Sequence, residues 1–173
     1  MSRIAACAGV SKGSLYNYFD GKAGLFTAWV ALECEGKLAH IFDIPDPEGD
    51  PAAGLCSIGE RMLKMMLSDT GLTLYRMAVA EASKFPEVAR AFYDMGPSRS
   101  TAFMAAWLER QAALGKLAID DSVFAAEQFF ALCQTRLSMQ RRFGLLTRAD
   151  EPELARVVNG AVAMFLNTYG VQP

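Results

Sequence analysis

Few side chains in this sequence could carry out catalysis, and they are scattered. His40 is the one histidine, so a histidine-rich metal site within the chain is excluded. A Ser-His-Asp triad would have His40 as its only base. Its place near the end of a long helical run suits a cation at a helix C-terminus better than a relay. The carboxylates Asp120-Asp121 and Glu151/Glu153 stand just ahead of apolar periodic runs. There they complement the positive end of a helix instead of sharing a proton. No Glu-x-x-His pair, P-loop, GxGxxG or GxSxG motif occurs. Cys7, Cys34, Cys56 and Cys133 form no CxxC pair and read as free thiols of a reducing cytoplasm. No enzyme, no cofactor and no metal is therefore expected.

A different chemistry is concentrated in one short stretch. Ser11, Lys12, Ser14, Tyr16, Asn17 and Tyr18 crowd a single predicted helix, and Gly13 sits among them. Hydroxyls and a lysine at a helix N-terminus suit phosphate oxygens. Asn17 has the amide needed to read an adenine edge, and Gly13 removes a side chain where backbone must approach DNA. Residues 1–31 hold Arg3, Lys12 and Lys22 against Asp20, a net of +2, and the whole chain carries −2, so the rest carries −4. This balance rules out a uniformly basic coat and suits a DNA-binding head on an acidic body.

Positioning these groups requires helices. The 173 residues are 52% hydrophobic, 21% charged and helical in periodicity throughout, with no strand or hairpin signal. Two short helices over 3–8 and 12–18 flank Gly9, which suits a left-handed turn, and Ser11 can cap the second. This is helix-turn-helix spacing. A long helix is predicted from about Lys22 to Phe42, then a proline-rich loop over 43–51. Further helices follow over 52–68 and 72–82, from Pro86, from Pro97, over 121–143 and over 150–170. No apolar run reaches the ~18 residues that cross a bilayer.

The segment IAACAGVSKGSLYNYFDGKAGLF resembles the DNA-binding signature of the TetR/AcrR family of bacterial transcriptional regulators. The matching residues are Ile4-Ala5, Ala8-Gly9-Val10-Ser11, Gly13, Leu15-Tyr16, Tyr18-Phe19, Lys22 and Leu25-Phe26. The rest of the chain matches in kind, as an all-helical body of suitable length. The resemblance implies an all-α protein with a helix-turn-helix head and connecting helix over 1–42. Residues 43–173 would form a ligand-binding and dimerisation bundle. Carried over by position, Ser11, Tyr16, Tyr18 and Lys22 hold phosphates, while Lys12, Gly13, Ser14 and Asn17 lie against base edges. The family has one more helix ahead of the segment that starts here, and a start upstream of Met1 is expected. Gly21 stands where a serine cap is usual.

The resemblance also implies a homodimer on a palindromic double-stranded operator, released when a small effector enters the body; the cysteines point to the cytoplasm and the composition to a largely apolar effector. Met62, Met66, Tyr75, Phe103, Trp107, Gln128 and Phe129 are the expected pocket residues, with ordinary core packing the competing reading for each. The helix over 121–143 is apolar on two faces, and the last helix carries a wide apolar stripe. Phe130, Leu137, Val158, Val162, Phe165 and Leu166 are accordingly the expected dimer interface; a central helix buried within one chain is the alternative. Gln140-Arg141-Arg142 reads as cations at a helix C-terminus. The competing function is a small-molecule-binding or interaction bundle that no longer binds DNA.

Overall fold

The computed structural model describes residues 1–44 and 46–171; Pro45, in the expected loop, and residues 172–173 lie outside the described residues. The architecture is all-α. Helix α1 (Ser2–Ala8) stops at Gly9, whose φ of 66° lets its N–H bond back to the Ala5 and Ala6 carbonyls. Helix α2 (Lys12–Tyr18) starts under Ser11, whose Oγ accepts from the Ser14 N–H at 3.0 Å. Helix α3 (Gly21–Ile41) then runs unbroken for 21 residues.

The body follows as α4 (Pro51–Leu67), α5 (Asp69–Glu81), α6 (Pro86–Tyr93), α7 (Arg99–Ala113), α8 (Ser122–Cys133), α9 (Arg136–Arg142) and α10 (Glu151–Tyr169). Local chemistry sets most of these starts. Asp50, Ser68, Asp121 and Asp150 each accept a backbone N–H of the first turn. Pro51, Pro86 and Pro152 occupy first-turn positions where no N–H is missed.

Two cores organise the chain. The larger joins Leu55, Ile58 and Met62 of α4, Met104 and Leu108 of α7, Phe129 of α8 and Val158 and Phe165 of α10. Gly59 permits that crossing, because a Cβ there would lie 3.0 Å from Val158 Cγ1 and 3.2 Å from Phe129 Cζ. The smaller core joins Phe26 and Val30 of α3, Leu74 and Ala78 of α5 and Val88 of α6. Leu38 and Ile41, further along α3, belong to the larger core, so this helix is built into both.

The chain departs from its sequence expectations in two places. The helix expected over 121–143 is broken: Gln134 has ψ 61° and Thr135 is extended, so α8 and α9 are separate helices. The helix expected to open at Pro97 instead continues from α6 through a π-helical segment, Asp94–Ser98. A wider turn accommodates a proline that would clash in an α-helix interior. The loop after α3 is pinned to the body. Pro47 O accepts from Trp107 Nε1 at 3.2 Å and Gln111 Nε2 at 2.7 Å, and Gly49 O accepts from Lys116 Nζ at 2.8 Å.

Candidate nucleic-acid interface and ligand cavity

The head exposes the polar groups expected of a groove-reading helix. Leu15 turns inward with Ala5, and the other face of α2 is left to Ser11, Lys12, Gly13, Tyr16, Asn17 and Tyr18, all exposed. Ser14 is half-buried and its Oγ lies 2.8 Å from Ser11 Oγ, so the two hydroxyls sit together at the N-terminus of α2. Lys12 Nζ stands 5.8 Å from the centre of the Tyr16 ring. Tyr18 is 83% exposed, which leaves its ring and hydroxyl without protein cover. Lys22 differs from the others: its Nζ is 3.1 Å from Glu81 Oε1, tying the start of α3 to α5.

The body contains a cavity of about 390 Å³ bounded by α3, α4, α5, α6, the π segment, α7, α8 and α9. Its apolar wall includes Leu38, Met62, Met65, Met66, Phe92 and Phe130. Its polar wall includes Tyr75, Gln134, Ser138, Arg141 and Arg142, with Glu33 and Lys37 on α3. The break between α8 and α9 brings the arginines to this wall. Arg141 Nε donates to Leu67 O at 2.9 Å, and its Nη2 meets Asp69. The Arg142 guanidinium lies 4.3 Å over the Tyr75 ring, and its Nη2 donates to Gln134 Oε1 at 3.1 Å. Lys37 pairs with Glu33 at 2.5 Å and holds that carboxyl below its usual range. Burial pushes the Cys34 thiol up.

The expected pocket residues separate into two groups. Met62, Met66 and Tyr75 line the cavity. Phe103 instead stacks on Phe42 at 5.4 Å. Trp107 is buried against the loop at Pro47. Phe129 is core, edge-on to Phe165 at 5.5 Å, and Gln128 Oε1 accepts from the Tyr169 hydroxyl. The expected dimer residues are likewise used inside the chain. Leu137, Val158, Val162 and Phe165 are buried in its own core, Leu166 packs against it, and Phe130 lines the cavity. The apolar stripe of α10 is thus satisfied by α4 and α8. Gln140 is half-buried, whereas Arg141 and Arg142 are cavity residues and not merely C-terminal cations. Sequence reasoning missed Ser138, Glu33 and Lys37; charged and hydroxyl groups within helical runs carry no local signal of facing a void.

Two family models match the chain. "Bacterial regulatory proteins, tetR family" covers residues 1–29, and "AefR-like transcriptional repressor, C-terminal domain" covers residues 53–171. Among solved structures, the flavonoid-responsive regulator FrrA is 29% identical with a TM-score of 0.85, over 100% of this chain and 87% of that one. A TetR-family regulator from Mesorhizobium loti MAFF303099 is 25% identical with a TM-score of 0.82, over 98% and 86% of the two chains. A third, from Pseudomonas syringae pv. tomato str. DC3000, is 25% identical with a TM-score of 0.72, over 99% and 86%. None of the curated proteins matches the sequence at a significant level. Among the described residues no helix is long and apolar enough to cross a membrane. With one model on the head and another on most of the body, the chain belongs to the TetR family of bacterial transcriptional regulators.

Proposed function

We propose that this regulator is a homodimeric repressor that holds a palindromic operator through α2 and releases it when a small, largely apolar molecule fills the body cavity. One observation carries the reading: Glu33, Cys34, Lys37 and Leu38 of α3 form a wall of the cavity, and the same helix begins directly after α2. An occupant that repositions α3 therefore moves the reading helix with it. The similar regulator FrrA is flavonoid-responsive, which supports an aromatic effector here. Contact roles follow the resemblance, with Ser11, Tyr16 and Tyr18 on phosphates and Lys12, Gly13, Ser14 and Asn17 at base edges. Lys22 would join the phosphate set only by leaving Glu81. The partner surface is assigned to the face of α8 and α10 left open by the core, with Phe124 and Met164 exposed on it.

The test is fluorescence anisotropy of the full chain on DNA flanking its own gene, across a salt series and with candidate effectors. Sequence-dependent binding that weakens steeply with salt, and is reversed by an effector, is the expected result. Effector binding without specific DNA binding would favour the bundle that has lost DNA recognition. DNA binding that no effector weakens would remove the release step.

A further inference from the structure

Ser138 places an unused hydroxyl inside the cavity. The residue is 4% exposed, lines the void, and its Oγ has no hydrogen-bond partner among the described residues. Helical hydroxyls commonly return to the carbonyl four residues earlier. Ser100 does this to Gly96 O at 2.9 Å and Thr73 to Asp69 O at 2.7 Å. For Ser138 that carbonyl belongs to Gln134, which lies in the break between α8 and α9. A buried hydroxyl left unpaired is destabilising, so a group that pairs with it is favoured.

The cavity's cations are already engaged, although only Lys37 and Arg141 face a carboxylate. Lys37 is taken by Glu33, Arg141 by Asp69 and Leu67 O, and Arg142 by Gln134 and the Tyr75 face. An anionic ligand would find each of these cations engaged and would meet the Glu127 carboxylate at the rim. A cationic ligand would find only that exposed, hydrated carboxylate. Methionines and phenylalanines supply a soft, flat-walled interior, and the volume of about 390 Å³ falls within the ~300–1,000 Å³ of small-molecule sites.

Resting on the reading of this cavity as the effector site, we propose that its ligand is an uncharged, flat aromatic phenol whose hydroxyl pairs with Ser138 Oγ. The rings lie against Met62, Met66 and Phe130, beside the Tyr75–Arg142 stack. Because a phenol both donates and accepts, as serine does, the pair needs no charge.

Titration calorimetry at pH 6.5, where a phenol is un-ionised, tests this with flavone, the 6-, 7- and 4′-monohydroxyflavones and flavone-6-carboxylate. The best hydroxyflavone is expected to bind about tenfold tighter than flavone, the size of one well-made hydrogen bond. In Ser138→Ala that advantage falls to within about twofold, with flavone losing far less than the hydroxyflavone, since the hydroxyl pair is what is removed. The carboxylate binds more weakly than flavone. The melting temperature of Ser138→Ala checks that it is folded. Carboxylate binding tightest, a hydroxyl advantage that survives Ser138→Ala, an equal loss for flavone, or no flavone binding at all would each overturn the proposal. Operator release is read separately. A phenol that binds through Ser138 without releasing DNA keeps the ligand assignment and removes the effector reading. Release by other compounds alone does the reverse.

Discussion

Arg141 is 8% exposed and its guanidinium serves a partly buried carbonyl, Leu67 O, as well as Asp69. The Asp69 side chain is almost wholly in solvent, so the ion pair itself is worth little and the carbonyl bond dominates. Arg141→Met is expected to destabilise by about 2 kcal/mol by leaving that acceptor unpaired, whereas Asp69→Asn changes stability by less than about 0.5 kcal/mol. Urea titration of the two variants checks both. Cys133 adds a pH dependence. Burial pushes its thiol up to about 12 from an ordinary 9.0. The unfolded chain therefore loses the thiol proton first as pH rises. The contribution is intact below pH 9 and is lost towards pH 12, at about 1.4 kcal/mol per pH unit. Alkaline unfolding should be steeper by this amount in the wild type than in Cys133→Ala, which keeps the smaller share of the raised Cys34 and Cys56 thiols. At this scale the sequence was most legible where one residue type answers one backbone need. Gly9 takes the left-handed turn and Ser11 caps α2, as their types require. It was least legible where the partner is remote: Phe165 and Trp107 are apolar by type, but only the fold decides that core and loop, not partner or ligand, cover them.

Helix positions followed from spacing and caps, and most helix starts fall where Ser, Asp or Pro stands. The break between α8 and α9 did not. Residues 130–139 hold neither Gly nor Pro, and the tertiary bond from Arg141 to Leu67 O that accompanies the break leaves no mark in the local sequence. The π segment was misread for the opposite reason: Pro97 looks like a start, yet the preceding helix runs into it. α3 carries its own prediction. Its link to α5, Lys22–Glu81, is exposed and contributes no more than about 1 kcal/mol. Glu81→Gln should leave melting nearly unchanged while freeing Lys22 for a phosphate. The salt dependence of DNA binding should then steepen by about 0.9 in log–log slope per protomer, about 1.8 for a dimer on its palindrome, measured by anisotropy at several salt concentrations.

For the molecule as a whole, the proposed dimer surface is the apolar face that the core leaves uncovered. Met164 is 59% exposed on α10, next to Phe165 at 1%. Met164→Glu is expected to give folded monomers by sedimentation with unchanged helical circular dichroism. Phe165→Asp is expected to unfold the chain, because it places a charge in the core. A dimer that survives Met164→Glu would move the surface elsewhere. The resemblance carried by 23 residues at the head thus implied the class of the whole chain, but not which apolar helix face remains open.

The double membership of α3 bears on how such regulators can be recombined. Residues 30–52 fall between the two matched family segments, and a splice there looks natural on sequence grounds. Yet a head taken from this chain and grafted after residue 42 would carry Glu33, Cys34, Lys37 and Leu38, and with them one side of the body cavity. On the proposed function, such a chimera would change operator and inducer preference together. Exchanging one without the other requires a junction before Glu33, inside the helix, with the helical phase of both parents preserved.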